Sequence, residues 1–186
     1  MHKYTTDKFK YLAMLTMPAL VIGTIGAASN KANAANTVEV TCNLDTAVPT
    51  VIATLSSQEQ SSTKHYKSSQ TTSILSFVSD YFAPESAIDN CQKTAKKLNN
   101  YYNNNQMNYL ASDTIDGKSV VCAVERRGIG CDSYGSEILF YSQITRVDPT
   151  KFLYDLLGSD FKSPQLPSSR TVSRIYTDLR PIWWPF

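Results

Sequence analysis

Four cysteines constrain this 186-residue chain more than any other feature of its sequence. They are Cys42, Cys91, Cys122 and Cys131, and no two of them form a close CxxC pair. Disulfides between them would fix which distant segments lie together, whereas free thiols would leave that choice to the hydrophobic core. The redox state of the compartment in which the chain resides decides between these two cases.

The N-terminal segment indicates an oxidising compartment. Three lysines within the first ten residues precede an apolar stretch at 12–28, and Ala32-Asn33-Ala34 supplies the small-x-small pattern of a signal peptidase site. These features predict a signal peptide at residues 1–34 and a mature chain that begins at Ala35. An uncleaved membrane anchor is the alternative. No later segment is apolar enough to span a bilayer, so we expect an exported protein of the periplasm, thylakoid lumen or extracellular space.

The charge balance of the mature chain excludes one class of partner. The leader contains Lys3, Lys8, Lys10, Lys31 and Asp7, so cleavage leaves 14 of the 18 basic and 15 of the 16 acidic residues. A net charge close to zero gives no electrostatic footprint for nucleic acid. The remaining length is that of one domain with a sizeable core.

The even cysteine count in an exported chain predicts two disulfides. A zinc site needs closely spaced Cys or His pairs, and His65 is the only histidine after the leader, so no metal is expected. A redox-active dithiol is typically a CxxC pair that opens a helix, but Cys122 follows Val120-Val121 in a strand-like run. No cofactor motif occurs, and we expect none to be bound.

Three cysteine pairings are possible, and the local pattern favours Cys122–Cys131 together with Cys42–Cys91. Asp116-Gly117 is a strong turn signal that predicts a hairpin between 109–115 and 118–125. A glycine-rich tip follows this hairpin, and Cys131 lies on the return from that tip. The two other pairings would send Cys122 and Cys131 to separate partners, and we rank them lower.

The remaining elements predict an α+β fold, a mainly antiparallel sheet built from hairpins with two α-helices packed on one face. β-Branched runs at 37–44 and 49–55 predict a hairpin, and 74–78 and 137–143 predict further strands. Residues 56–73 are rich in Ser and Thr without apolar rhythm, and we expect a long mobile loop there.

Two helices are predicted from their start signals and apolar spacing. Pro84 opens the first, and Asp148-Pro149 opens the second, which Gly158 ends. The predicted buried face of the first helix is Ile88, Cys91, Ala95, Leu98 and Tyr102. Its lysines at 93, 96 and 97 are expected to face solvent. The domain is predicted to occupy 35–160, and a linker and aromatic tail to occupy 161–186.

The order of these motifs resembles the circadian oscillating polypeptide domain of cyanobacteria. The matching features are the cysteine order, Leu110 before Asp116-Gly117, Val120-Val121-Cys122, Leu139-Phe140 and Asp148-Pro149. The resemblance covers roughly residues 38–158. It implies an exported protein that is peripheral to a membrane and has no established catalytic residues.

The residues allow two enzymatic hypotheses, and neither provides a catalytic residue. A Ser133–His65 mechanism would need an oriented base, and His65 lies in the Ser/Thr-rich segment. Asp113 and Asp116 could act as paired carboxylates in a secreted hydrolase, although the turn already accounts for Asp116. We keep this carboxylate hydrolase as the alternative function.

Binding is the leading hypothesis. Arg126-Arg127 at the hairpin tip could bind a carboxylate or phosphate, or could simply discourage edge-to-edge pairing of sheets. Trp183, Trp184 and Phe186 could dock on the core, bind a partner or sit at a membrane surface. The sequence therefore predicts a non-catalytic exported domain that binds a protein partner or associates peripherally with a membrane.

Overall fold

The computed structural model describes residues 37–61, 64–104, 106–162 and 175–180, with side chains outside 57–68. Within these ranges the chain forms seven strands, two α-helices and one 3-10 turn. In order they are β1 Thr37–Asn43, β2 Thr50–Ser61, β3 Lys64–Ser76, α1 Pro84–Asn104, β4 Tyr109–Ile115, β5 Lys118–Val124, β6 Ser136–Tyr141, α2 Pro149–Leu156, the 3-10 turn Ser159–Phe161 and β7 Tyr176–Asp178. The predicted signal peptide lies outside the described residues.

The antiparallel α+β class is confirmed, but the strands divide between two sheets instead of one. The first sheet has the order β1-β2-β3 and the second the order β6-β5-β4-β7. An isolated antiparallel bridge from Leu75 to Leu157 connects the end of β3 to the residue after α2. Helix α1 packs on β1, β2 and β6, and helix α2 packs on β4 and β5.

A buried aromatic cluster lies where these elements meet. The Phe77 and Phe140 rings are 4.9 Å apart, and the Phe82 and Phe152 rings contact them with centroid separations of up to 6.0 Å. Edge-to-face packing of this kind suits the charge distribution of aromatic rings. The cluster thereby joins a residue after β3, a residue of β6 and a residue of α2 into one core.

Both predicted disulfides are present, and the described residues contain no free cysteine. Cys42–Cys91 joins β1 to α1 across a sequence separation of 49, and Cys122–Cys131 joins β5 to the following loop across a separation of 9. The disulfides are compatible with an oxidising, exported location.

The long mobile loop predicted at 56–73 is wrong. β2 and β3 continue through this segment as an antiparallel pair, from Thr50↔Ser76 to Ser61↔Lys64. β1 begins at Thr37, opposite Ser56, so among the described residues the last five β2–β3 pairs form a two-stranded ribbon beyond this point. The polar composition hid this hairpin, because the segment has no apolar alternation from which a strand could be predicted.

The predicted face of α1 is partly wrong. Cys91, Ala95 and Leu98 are buried as expected, but Ile88 is 40% exposed and Tyr102 is only half-buried. The centre of the buried stripe is shifted around the helix, and the residues that complete it are Ala87, Thr94 and Tyr101. Thr94 and Tyr101 carry polar groups, which weakened their apolar signal in the sequence.

The predicted domain boundary near residue 160 is too early. β7 pairs with β4 through Tyr109↔Asp178, Leu110↔Thr177 and Ala111↔Tyr176, and Leu179 is 1% exposed. The domain therefore includes part of the segment that was assigned to the tail. Among the described residues, no helix has the length and apolar character that a membrane span requires.

A candidate binding surface on the Cys122–Cys131 loop

Residues 125–135, here called the covering loop, connect β5 to β6 across the outer face of the second sheet. The Glu125 amide donates to the Gly135 carbonyl at 3.2 Å, which closes the two ends of the loop on each other. The Ser136 hydroxyl donates to the Ser133 carbonyl at 2.6 Å and tightens the return. Gly135 has a φ of 87°, a left-handed conformation that glycine adopts without strain.

The covering loop protects a small second core. β5 alternates between two buried faces: Val121 and Ala123 face the main core, while Val120, Cys122 and Val124 belong to the second core with Ala111 and Cys131. The Cys122–Cys131 disulfide, with 5.5 Å between Cα atoms, holds the loop over this outer face. The Tyr176 hydroxyl of β7 donates to the Ile129 carbonyl at 3.0 Å and adds a second attachment.

The solvent side of the covering loop carries arginine and tyrosine. Arg126 and Arg127 are exposed, as the sequence predicted for a hairpin tip, and the Arg127 guanidinium lies 5.2 Å from the centre of the Tyr109 ring. Tyr134 is fully exposed at 104%. Arg126 follows Glu125 and Tyr134 precedes Gly135 along the chain, so both lie next to the hydrogen bond that closes the loop.

The C-terminal strand leads toward the same end of the sheet. The Leu179 amide donates to the Asn108 carbonyl at 2.9 Å, and the Asn108 side-chain amide donates to the Glu125 carbonyl at 2.7 Å. Arg180 therefore lies close in the fold to the start of the covering loop. Trp183, Trp184 and Phe186 lie outside the described residues, and their predicted role stays a prediction.

The two carboxylates of the hydrolase alternative lie in one hairpin. Asp116 occupies the turn with a φ of 51°, next to Gly117 at 74°, which is the conformation that the Asp-Gly signal predicts. Asp113 lies within β4 and accepts a hydrogen bond from the Thr114 amide at 2.9 Å. Asp116 thus has a structural role, and this pair adds no support to the hydrolase alternative.

The remaining candidates from the sequence are Ser133 and the residue types that bind metal ions. The Ser133 hydroxyl is exposed and its nearest partner is the Asp132 carboxylate at 3.4 Å. The His65 side chain lies outside the described part of the chain. In the part that is described, no cluster of three or more His, Cys, Asp or Glu residues could hold a metal ion.

A second polar cluster joins α2 to the segment before α1. The Tyr81 hydroxyl donates to the Asp155 carboxylate at 2.5 Å, and Lys151 forms an ion pair with the same carboxylate. Burial raises the pKa of Tyr81, and the hydrogen bond to Asp155 raises it further. Burial would also raise the pKa of Asp155, but Lys151 and Tyr81 outweigh this effect and lower it. The three groups satisfy one another, so the cluster has a structural role.

Residues 40–183 match the family model described as Circadian oscillating protein COP23. The chain belongs to this family. The match confirms the resemblance carried by the cysteine order and the hairpin motifs, and it extends past β7, whereas the resemblance had been traced only to residue 158. Searches of curated proteins and of solved structures gave no match.

Three tyrosines on or beside the covering loop were missed in the sequence. Tyr109, Tyr134 and Tyr176 were not singled out, although Tyr134 lies between Ser133 and Gly135 in a run of turn residues. A large aromatic residue in such a run has no apolar neighbours to pack against, and this is a usable signal of exposure. Tyr109 and Tyr176 acquire their places only when β7 pairs with β4.

Proposed function

We propose that this protein is a non-catalytic exported domain that binds a protein partner through the covering loop. The observation that carries the proposal is that Tyr134, Arg126 and Arg127 are all exposed on one loop that a disulfide holds in place. Tyr and Arg are among the residues that dominate binding energy at protein interfaces. A loop that is already ordered loses less conformational entropy on binding, so more of the contact energy appears as affinity.

The charges around the loop favour a protein over a lipid surface. Glu125 and Asp132 are exposed in the same loop as Arg126 and Arg127, so its charge is nearly balanced. Anionic membranes select clusters of basic residues, and interspersed acidic residues weaken that attraction. A mixed pattern suits a partner with complementary charges at fixed positions. Peripheral membrane association is then secondary to this contact, through a partner that is itself membrane-bound.

The test compares two variants of the loop with a control. The full chain is produced by export so that the disulfides form, and it is crosslinked in the cell envelope to identify its partner. Affinity for that partner is then measured by biolayer interferometry. We expect Arg126→Ala with Arg127→Ala, and separately Tyr134→Ala, to weaken binding about 30-fold, as truncation of a major interface residue does. Lys96→Ala, an exposed change on α1, should leave binding unchanged.

The outcomes separate a protein partner from a membrane. Sedimentation with vesicles of anionic phospholipid is measured for the same variants. If the arginine variant loses vesicle sedimentation but keeps its affinity for the crosslinked protein, the loop is a membrane contact and the proposal is wrong. If neither variant changes partner affinity, the covering loop is not the binding surface.

A further inference from the structure

A second surface, distant in sequence from the covering loop, lies between the N-terminal half of α1 and the outer edge of β6. It is an open groove of about 750 Å³, which is within the range that small ligands occupy. Its residues from α1 include Ser86, Asp89, Asn90 and Lys93, and Tyr141 lies on its β6 side. The groove has no part in the function proposed above.

Hydrogen bonds and an ion pair close the groove at both ends. At one end the Gln143 side chain accepts a hydrogen bond from the Ala83 amide at 2.7 Å and donates one to the Ser86 hydroxyl at 2.6 Å. At the other end the Lys97 ammonium donates to the Ile138 carbonyl at 2.6 Å and pairs with Glu137 at 3.0 Å. Lys97 was expected to face solvent, but it spans α1 and β6 instead.

Three titratable groups, Lys97, Glu137 and Tyr101, lie together at the Lys97 end. Burial would raise the pKa of Glu137, but Tyr101 and Lys97 beside it outweigh burial and lower the pKa. Burial and the nearby Glu137 carboxylate raise the pKa of Tyr101, so its hydroxyl stays neutral. The buried Tyr101 hydroxyl nevertheless lacks a hydrogen bond of normal geometry in the described structure. The two ends therefore fix the length of the groove.

The middle of the groove has unused hydrogen-bonding groups. Among the described residues, the Asn90 side-chain amide, the Lys118 ammonium and the Tyr141 hydroxyl make no hydrogen bond or ion pair, and Tyr141 is 41% exposed. The Ser142 amide donates to the Ser119 carbonyl at 2.8 Å. Because ladder bonds alternate along an antiparallel strand, the Tyr141 N–H and C=O point away from β5 toward the groove.

These groups discriminate against a peptide strand. An added strand needs a row of free N–H and C=O groups along the sheet edge. Here the Ile138 carbonyl already accepts a hydrogen bond from Lys97, and the hydrogen bonds of Gln143 close the other end of the groove. Tyr141 therefore contributes the one free backbone N–H and C=O pair among these described edge residues. A ligand whose hydroxyl groups both donate and accept hydrogen bonds matches this mixed set of a side-chain amide, a phenol and one backbone N–H and C=O pair.

The lysines that line the groove favour a negatively charged ligand. Lys118 has no acidic partner within the described residues, and Lys93, which is paired with Asp89 at 2.7 Å, lies across the groove. A carboxylate on the ligand would form a charge-assisted hydrogen bond with Lys118. The exposed Tyr141 ring offers an apolar face against which a sugar ring can lie. We propose that this groove binds a short acidic oligosaccharide, with Asn90, Lys118 and Tyr141 as its contacts.

The experiment titrates the exported, disulfide-bonded protein, labelled with 15N, with trigalacturonic acid and with the neutral trisaccharide maltotriose. We expect saturable shifts of the amide signals of Asn90, Lys118 and Tyr141 with the acidic sugar. Maltotriose should bind at least about tenfold more weakly, because it lacks the carboxylate that bonds to Lys118.

Two exposed substitutions assign the contacts. Lys118→Gln should weaken binding of trigalacturonic acid about tenfold and leave the weak binding of maltotriose unchanged. Tyr141→Ala should weaken both about fivefold through loss of the ring contact. The control Lys96→Gln removes an exposed α1 lysine that does not line the groove, and it should change neither affinity.

Three results would overturn the proposal. The first is the absence of saturable shifts at millimolar trigalacturonic acid. The second is a set of shifts at Arg126 and Arg127 alone, which indicates general attraction of an anion. The third is equal competition by succinate, which indicates a carboxylate site without sugar recognition. The function proposed above is tested separately, by affinity for the crosslinked partner, and none of these results measures that affinity.

Discussion

The two disulfides hold the molecule together in different ways. Cys42–Cys91 links β1 to α1 and thereby connects the first sheet to the helix that also packs on β6. Cys122–Cys131 links neighbouring parts of one chain segment and holds the covering loop on the outer face of the second sheet. One bond constrains the whole domain, while the other constrains a surface. Stability and the presentation of the proposed binding surface are thus supported by separate covalent links.

The largest expected effect is the loss of the long-range disulfide. Replacing Cys42 and Cys91 by Ala should reduce the free energy of unfolding by about 4 kcal/mol, because the unfolded chain regains the entropy of a loop whose ends are 49 residues apart. Urea unfolding followed by tyrosine and tryptophan fluorescence measures this change. A loss of less than about 1 kcal/mol would show that β1 and α1 are held by packing alone. The claim that Cys42–Cys91 constrains the whole domain would then be wrong.

The second disulfide should matter less for stability and more for the surface. Replacing Cys122 and Cys131 by Ala should cost about 2.7 kcal/mol, the value for a loop closed across 9 residues. Hydrogen exchange should increase at residues 125–135 and stay unchanged in β1, because only the covering loop is released. A uniform increase across both sheets would contradict the division between the two disulfides.

The β4–β5 hairpin and helix α2 could be predicted from local sequence. Asp116-Gly117 requires positive φ at both turn residues, and Asp148-Pro149 supplies a cap and a first helical residue, as the Asp148 side chain shows by accepting the Lys151 amide at 2.8 Å. The cysteine pairing followed from this hairpin. These signals act over a few residues, so they survive without knowledge of the tertiary structure.

The features that could not be predicted from the sequence depend on contacts between distant segments. β7 has only three residues, and nothing in Tyr176–Asp178 marks it as a strand until it meets β4. The β2–β3 ribbon lacks apolar alternation, so its pairing is determined by continuation of the hairpin. The groove between α1 and β6 arises from Lys97 and Gln143 reaching across elements that are far apart in sequence. Periodicity within one element carries no information about such contacts.

The third prediction concerns the place where the first sheet meets α2. The Gly158 amide donates to the Ile74 carbonyl at 2.9 Å, and a Cβ atom at Gly158 would overlap the Ser73 carbonyl oxygen. Gly158→Ala should therefore cost about 2 kcal/mol, because backbone must move to relieve the clash. Gly128→Ala in the covering loop is the matched control, since a Cβ there meets nothing within 4 Å.

The control should cost about 1 kcal/mol, which reflects only the strain of an alanine at a φ of 93°. Both variants are measured by urea unfolding under the same conditions. Equal losses for the two variants would show that close approach at Gly158 is not a constraint on the junction.

The smallest effect is expected for the ribbon beyond β1. Ser57 and Ser68 pair in its register, so residues 58–67 can be replaced by Asn-Gly, a pair suited to a two-residue hairpin turn. The free energy of unfolding should change by less than about 1 kcal/mol, because an isolated two-stranded ribbon is at best marginally stable in water.

Thr54→Pro provides the contrast. β2 is the central strand of the first sheet and Thr54 pairs with both Glu39 and Thr71, so this variant should lose about 3 kcal/mol or more. If the shortened protein instead loses as much stability as Thr54→Pro, the ribbon is part of the folded unit stabilised by Cys42–Cys91. Analytical ultracentrifugation of both proteins then establishes whether the ribbon contributes through contact with a second copy of the chain.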